Sequence, residues 1–198
     1  MEYMAHLEKD RKLAKTLLEA MPELALRKNI PLRLMASIMS QQLSTKVAKV
    51  IFKRFLELFD GKEPKPQQVL ETPIETLRGI GLSYAKVGYI HNVAAFCIEN
   101  KVTDKLLQKM DNEAIIELLV QIKGVGKWTV EMLLMFSLGR EDVFAVDDLG
   151  IQQAMIKIYR LEELDKKALK TKMLELSKKW SPYRTYACLH LWQWKDDV

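Results

Sequence analysis

The chain has 198 residues, 48% apolar and 29% charged, with eight glycines and six prolines. That length can bury a core in one domain or two small lobes, and the composition excludes a linker-rich or low-complexity protein. Lys plus Arg outnumber Asp plus Glu by 31 to 26, a net charge of +5, which permits a polyanionic partner without demanding one.

The opening stretch, Met1 to Lys15, has no signal-like apolar region, and no run approaches the roughly 18 apolar residues of a membrane span. The expectation is an intracellular protein with no membrane partner. Helical periodicity then dominates. Ser44 is a good N-cap for a helix over 44–59, with Val47, Ala48, Ile51, Phe52, Phe55 and Phe59 on one face and Lys46, Lys49 and Lys53 as a basic stripe. Ser83 opens a helix over 83–98 that repeats Tyr84, Val87, Ile90, Ala94 and Cys97. A helix from Asp111 to Val120, with Ile115, Leu118 and Leu119 inward, runs into Gly124-Val125-Gly126, and a nearly all-apolar helix follows over 127–138. The run Val143 to Val146 ends in Asp147 and Asp148, ahead of a helix over 149–159. Leu161, Leu164, Leu169, Met173, Leu176 and Trp180 predict a helix over 161–180. Proline and glycine breaks separate these segments, and no period-two run is long enough for a strand. The fold class expected is all-α, with about ten short helices.

Cys97 and Cys188 are too few and too far apart for a disulfide scaffold or a cysteine-rich metal centre, so both read as reduced thiols. His6, His91 and His190 have no metal-ligand spacing.

Two stretches carry candidate chemistry. Around Gly124-Val125-Gly126, glycines permit a tight turn and close approach of a ligand to backbone. The unpaired N–H groups at the start of the following helix suit a phosphate, and Lys123 and Lys127 add charge attraction to a nucleic-acid backbone. The alternative is an ordinary glycine-containing turn between helices. Some twenty residues on, an Asp at 147 or 148 can cap the next helix or present a carboxylate at a cleft mouth beside the positive helix end.

The spacing of Gly124-Val-Gly-Lys-Trp-Thr129 and Phe144-Ala-Val-Asp-Asp-Leu-Gly-Ile151 resembles the helix–hairpin–helix DNA glycosylase superfamily. Three further segments are similar to the same family: Ile38-Met-Ser-Gln-Gln-Leu-Ser-Thr-Lys46, Leu77-Arg-Gly-Ile-Gly-Leu-Ser-Tyr-Ala-Lys86, and Trp180-Ser-Pro-Tyr-Arg184 with Leu189-His-Leu-Trp192. The resemblance spans roughly 31–195 and is nearest the compact 3-methyladenine DNA glycosylase II type. It implies one glycosylase unit over 1–198. One helical lobe would cover 31–135 and a second 1–30 plus 136–198, with a DNA-binding cleft between them.

The resemblance also implies roles. Base excision requires the nucleotide to be everted from double-stranded DNA, the partner the resemblance implies for a monomeric enzyme. Asp148 would be catalytic, because Asp148-Leu-Gly-Ile151 keeps the family's Asp-x-x-aliphatic register, with Asp147 the alternative. Trp128 and Trp192 would line the base pocket, although either could be plain core. Met132 stands where the family has a third aromatic, which leaves the breadth of lesion choice open. Lys123, Gly124, Val125, Gly126 and Lys127 would bind DNA at the hairpin. Gln41, Gln42, Leu43 and Ser44 would enter the minor groove, with Gln42 as the plug and Ser44 second. Arg184 would tie the final helix to the catalytic loop. Bifunctional members carry a Schiff-base lysine two residues after the second hairpin glycine; here that position is Trp128, which implies base removal without strand cleavage. No organic cofactor is implied. Carbonyls of Val120, Ile122 and Val125 are the candidate seat of a structural Na⁺ or K⁺. The expected substrates are alkylated purines of the 3-methyladenine and 7-methylguanine type, met in a bacterial nucleoid or a nucleus. The alternatives are a deaminated or oxidised base, a non-catalytic DNA-binding module of the same fold, or an unrelated helical scaffold.

Overall fold

The computed structural model describes residues 1–197. Among them the chain is all-α. The elements are α1 (Glu2–Leu7), a 3₁₀ turn (Leu13–Thr16), α2 (Ile30–Ser40), α3 (Thr45–Glu57), α4 (Pro66–Glu71), α5 (Ile74–Gly79), α6 (Tyr84–Glu99), α7 (Asp104–Lys109), α8 (Asn112–Leu119), α9 (Lys127–Phe136), α10 (Leu149–Tyr159), α11 (Lys166–Ser177), a second 3₁₀ turn (Lys178–Trp180) and α12 (Arg184–Asp197). No helix is long and apolar enough to cross a membrane among the described residues.

Side-chain caps start most of the longer helices. Ser44, Ser83, Asp111 and Asp165 accept from the backbone N–H three residues on, at 3.4, 3.3, 2.7 and 2.9 Å. Each such cap stabilises its helix by about 1 kcal/mol. Asp165 explains one departure from the periodicity: the helix expected over 161–180 begins only at Lys166. Arg160, in the left-handed region at φ 60°, closes α10, and the Leu161 N–H bonds back to the Ile156 carbonyl at 3.0 Å. Leu161 and Leu164 therefore belong to a connection, and Trp180 to a tighter 3₁₀ turn. On α3 only Ile51 and Phe55 are buried, and Val47 in its first turn is 45% exposed.

The chain divides into two compact units, 26–133 and 1–25 with 134–198. In the first, α6 packs against α2, α4 and α5, and α2 also against α3. Leu34, Ile38, Phe55, Leu77, Ile90 and Val93 are buried there. Each contributes roughly 1.5–3 kcal/mol relative to exposure. In the second unit α10 lies along α12, and α12 also meets the Leu13–Thr16 turn. Both cysteines are buried, and neither is in a disulfide among the described residues. Burial pushes the Cys97 thiol up to about 12.

A polar knot holds the chain start inside the second unit. Asp10 accepts from the Tyr159 hydroxyl at 2.8 Å, the Trp180 indole N–H at 3.2 Å, and the Lys12 and Leu13 N–H groups at 3.1 and 3.3 Å. Burial pushes the Asp10 carboxyl up, but these four donors outweigh it and hold the group below the usual carboxylate range.

Candidate functional site

Asp148 is the N-cap of α10. Its Oδ1 accepts the Ile151 N–H at 2.9 Å and the Trp192 indole N–H at 2.8 Å. Two donors from different elements therefore fix the carboxylate at the positive end of a helix. The side chain is neither fully buried nor fully exposed. Gly150 makes the Trp192 contact possible: a Cβ there would lie 3.1 Å from Trp192 Cδ1 and 3.2 Å from Asp148 Oδ1. Trp192 also stacks on Phe136, with ring centroids 6.0 Å apart and planes at 29°. Phe136 is 43% exposed, so an open aromatic face adjoins the indole that holds the carboxylate.

Asp147 is committed elsewhere. Both its oxygens accept from the Lys170 ammonium of α11, at 2.8 and 3.0 Å. Of the two acids, the structure aims one at α11 and the other at the Trp192 indole.

The irregular run before Asp148 is fastened to α12. Arg184 donates Nε to Asp142 Oδ1 at 2.5 Å and a second nitrogen to Oδ2 at 2.9 Å, and Ser181 adds a hydroxyl at 2.8 Å. Burial raises the Asp142 carboxyl, while these bonds and the guanidinium charge lower it further, so it lies below its ordinary value. Thr185 donates to the Arg140 carbonyl at 2.6 Å and accepts the Val143 N–H at 3.1 Å. Gln152 reaches back from α10 to the Val146 carbonyl at 2.9 Å. The tie between Arg184 and the loop is the one its sequence position suggested. Gly150, Phe136 and Gln152 were not singled out from sequence; the only trace of the first is the glycine within Asp-Leu-Gly-Ile.

In the unit 26–133, the turn between α8 and α9 is a hairpin. Gly124 adopts φ 102°, and a Cβ there would fall 2.3 Å from Tyr89 Cγ, so α6 presses directly on glycine backbone. Asn92, also on α6, donates to the Lys123 carbonyl at 3.1 Å. The Val125 N–H bonds to the Ile122 carbonyl at 3.0 Å, and the Val130 N–H to the Gly126 carbonyl at 3.2 Å. Lys123 and Lys127 are exposed on either side of the glycines. The Lys127 ammonium is also 3.6 Å from the buried Glu131 carboxylate, so part of its charge is already balanced. Trp128 is 39% exposed in the first turn of α9, Met132 is half-buried one turn on, and Val125 is buried.

The loop between α2 and α3 carries Gln41 to Ser44. Gln42 is exposed and left-handed at φ 60°, a conformation unusual for a residue with a Cβ. Leu43 beside it is 36% exposed, and Ser44 caps α3. Lys86 anchors this tip. Its half-buried ammonium donates to the Met39 carbonyl at 2.9 Å and the Gln41 carbonyl at 2.7 Å. Burial pulls the Lys86 ammonium below the usual lysine range. Gln41 Nε2 also lies 3.5 Å from Thr129 Oγ1 on α9. The anchoring role of Lys86 had a sequence signal, the Gly-Leu-Ser-x-x-Lys segment, but no local pattern pairs it with residues some 45 positions earlier.

Comparison with known proteins agrees with this architecture. Residues 35–181 match the family described as HhH-GPD superfamily base excision DNA repair protein. A Schizosaccharomyces pombe protein named DNA-3-methyladenine glycosylase 1 is 35% identical over 186 residues, 92% of this chain and 80% of its own. The structure of the S. pombe 3-methyladenine DNA glycosylase in complex with abasic DNA superposes with a TM-score of 0.84 at 33% identity, covering 98% of this chain and 96% of that one. A Bacillus halodurans DNA-3-methyladenine glycosidase superposes with a TM-score of 0.83 at 35% identity, covering 96% and 87%. With a family match over most of its length and the hairpin and acid in their family order, the chain belongs to the HhH-GPD superfamily of base excision DNA repair proteins.

Proposed function

We propose that this protein is a monofunctional DNA glycosylase that excises alkylated purines from double-stranded DNA. The observation that carries the reading is the Asp148 carboxylate, held at Oδ1 by the Trp192 indole and the Ile151 N–H, in a chain of this family. The relatives named above are 3-methyladenine glycosylases, which favours alkylated purines over other lesions.

The chemistry follows from charge. Methylation at purine N3 or N7 makes the base cationic and a good leaving group, so little acid catalysis is needed. As the C1′–N bond breaks, its electron pair leaves with the base and the sugar becomes oxocarbenium-like. A fixed carboxylate facing C1′ stabilises that charge without reorganising. The same carboxylate can take a proton from the water that adds to C1′. A duplex base must first be everted, and Gln42 at its left-handed tip is our candidate to fill the gap, with Leu43 flanking it and Gln41 and Ser44 fixing the loop. Lys123 and Lys127, with the N–H groups at the start of α9 that follows the Gly124-Val125-Gly126 turn, would hold backbone phosphates. Trp128 and Trp192 are each an aromatic suited to a cationic base, and Met132 is an adaptable apolar side chain.

Strand cleavage by a Schiff base at the hairpin needs an amine two residues after Gly126, and Trp128 offers none. That supports hydrolysis alone. The carbonyls of Val120, Ile122 and Val125 are hard oxygen donors and suit a monovalent cation; the Ile122 oxygen has one lone pair engaged by Val125 and one to spare. Such an ion would add positive charge where the hairpin meets a phosphate.

The test is a panel of duplexes carrying 7-methylguanine, 3-methyladenine, hypoxanthine or 8-oxoguanine. Methylated purines should be released, leaving abasic sites cleaved only by added alkali. Release of 8-oxoguanine with none of 7-methylguanine would overturn the substrate assignment, and alkali-independent nicking would overturn the hydrolytic one.

A further inference from the structure

A cationic cavity lies in the unit formed by 1–25 and 134–198, away from Asp148. It has a volume of about 380 Å³ and is lined by Lys12, Lys15, Lys157, Arg160 and the half-buried Trp194. That volume falls within the roughly 300–1,000 Å³ of small-ligand sites. Lys157 lies in the last turn of α10 and Arg160 is its C-cap; Lys15 lies in the Leu13–Thr16 turn and Lys12 is that turn's N-cap. Asp148 caps the other end of α10, an 11-residue helix, so the two places stand about 16 Å apart along its axis.

Ordinary helix chemistry explains only half of this cluster. A cation or two near a helix C-terminus offsets the dipole, and Lys157 and Arg160 do that. Lys12 already donates its ammonium to the last helical carbonyl, Tyr159, at 3.2 Å. Lys15 then adds a fourth cation where the helix end needs none. No carboxylate lines the cavity, and none of the four cations forms an ion pair among the described residues. Asp10, the acid nearest in sequence to Lys12, is turned to Tyr159 and Trp180. Arg160 also stands in the left-handed conformation at a helix C-cap, where glycine would be less costly. Four like charges gathered around one concavity repel one another unless an anion joins them.

We propose that this cavity binds a phosphate group, with Lys12, Lys15, Lys157 and Arg160 as its charge partners and Trp194 as an apolar wall. The phosphate can come from a free phosphorylated molecule or from the backbone of a nucleic-acid strand lying outside the base-excision site. The inference does not rest on the excision reaction.

The experiment follows the Trp194 indole N–H by heteronuclear NMR in the full chain, its signal assigned by comparison with Trp194→Phe. Three probes are titrated separately: inorganic phosphate, a nucleoside monophosphate, and a short undamaged single-stranded DNA. The signal should move with at least one probe, and a Lys157→Glu/Arg160→Glu double variant should weaken that response by about tenfold or more. Both substituted side chains are exposed, so the fold should survive, which circular dichroism checks, and base release from a short damaged duplex should stay unchanged. Movement with all three probes identifies a general phosphate site; movement with the oligonucleotide alone identifies a strand-backbone site. A Trp194 signal that ignores every probe, or responds equally in the double variant, overturns the proposal.

Discussion

The indole of Trp192 donates to the carboxylate of Asp148 across 2.8 Å, although the two residues lie 44 positions apart. The bond joins the last helix to the first residue of α10's cap. It gives Trp192 a positioning role besides any contact with a base.

Trp192→Phe keeps a ring against Phe136 but removes the N–H. A hydrogen bond to a charged group contributes roughly 1.5–3 kcal/mol. Single-turnover base release should therefore slow by about tenfold or more, with duplex affinity changed by less than about threefold. Equal losses in rate and affinity would assign Trp192 to binding instead.

Gly150→Ala tests the same contact from the other side. The added methyl would sit 3.1 Å from Trp192 and 3.2 Å from Asp148 Oδ1, so the indole must shift by a few tenths of an ångström. Stability should change by no more than about 1 kcal/mol, since alanine suits a helix, while base release should fall several-fold. Unchanged release would show that the contact tolerates slack.

Gly124→Ala should be far more damaging to the fold. The methyl would overlap the Tyr89 ring at 2.3 Å on backbone that is already left-handed. We expect a loss of about 2 kcal/mol or more in denaturant unfolding, because both overpacking and an unfavourable φ are imposed. DNA affinity should fall with it. Lys123→Ala and Lys127→Ala, by contrast, should leave stability alone and flatten the salt dependence of binding, Lys123 more than Lys127, whose charge is shared with Glu131.

How far this was legible in the sequence depends on range. Ser44, Ser83 and Asp111 announce helix starts because a cap acts over three residues. The acids at 147 and 148 likewise announce α10, whose bounds match the expected 149–159. The six-residue helices α4, α5 and α7 complete too few turns for periodicity to register. The Leu161–Leu164 spacing extends the apolar pattern of α11 backwards, but the Asp165 cap starts that helix only at Lys166. Contacts between distant positions, such as Lys86 with the Gln41 carbonyl or Asp10 with Trp180, leave no local trace.

His190 supplies a pH test. It is fully buried, and neither ring nitrogen has a hydrogen-bond partner among the described residues. Burial lowers its tendency to protonate, so the folded chain holds it neutral. The unfolded chain takes up a proton near the ordinary value of about 6.5. Stability is then fully present above that pH, falls as pH drops below it, and stops falling from this cause below the depressed native value. His190→Leu should remove that slope in urea unfolding measured from neutral to mildly acid pH. A slope unchanged in the variant would place its origin elsewhere.

The central claim concerns which acid faces the sugar. Asparagine caps a helix about as well as aspartate, so Asp148→Asn should keep the fold and duplex binding. The direct measurement is single-turnover release of 7-methylguanine from a duplex by the native chain, Asp148→Asn and Asp147→Asn. We expect Asp148→Asn to lose about a thousandfold, as removal of a preorganised electrostatic partner does, and Asp147→Asn to stay within about threefold. The reverse order, or near-native release by Asp148→Asn, would contradict the account.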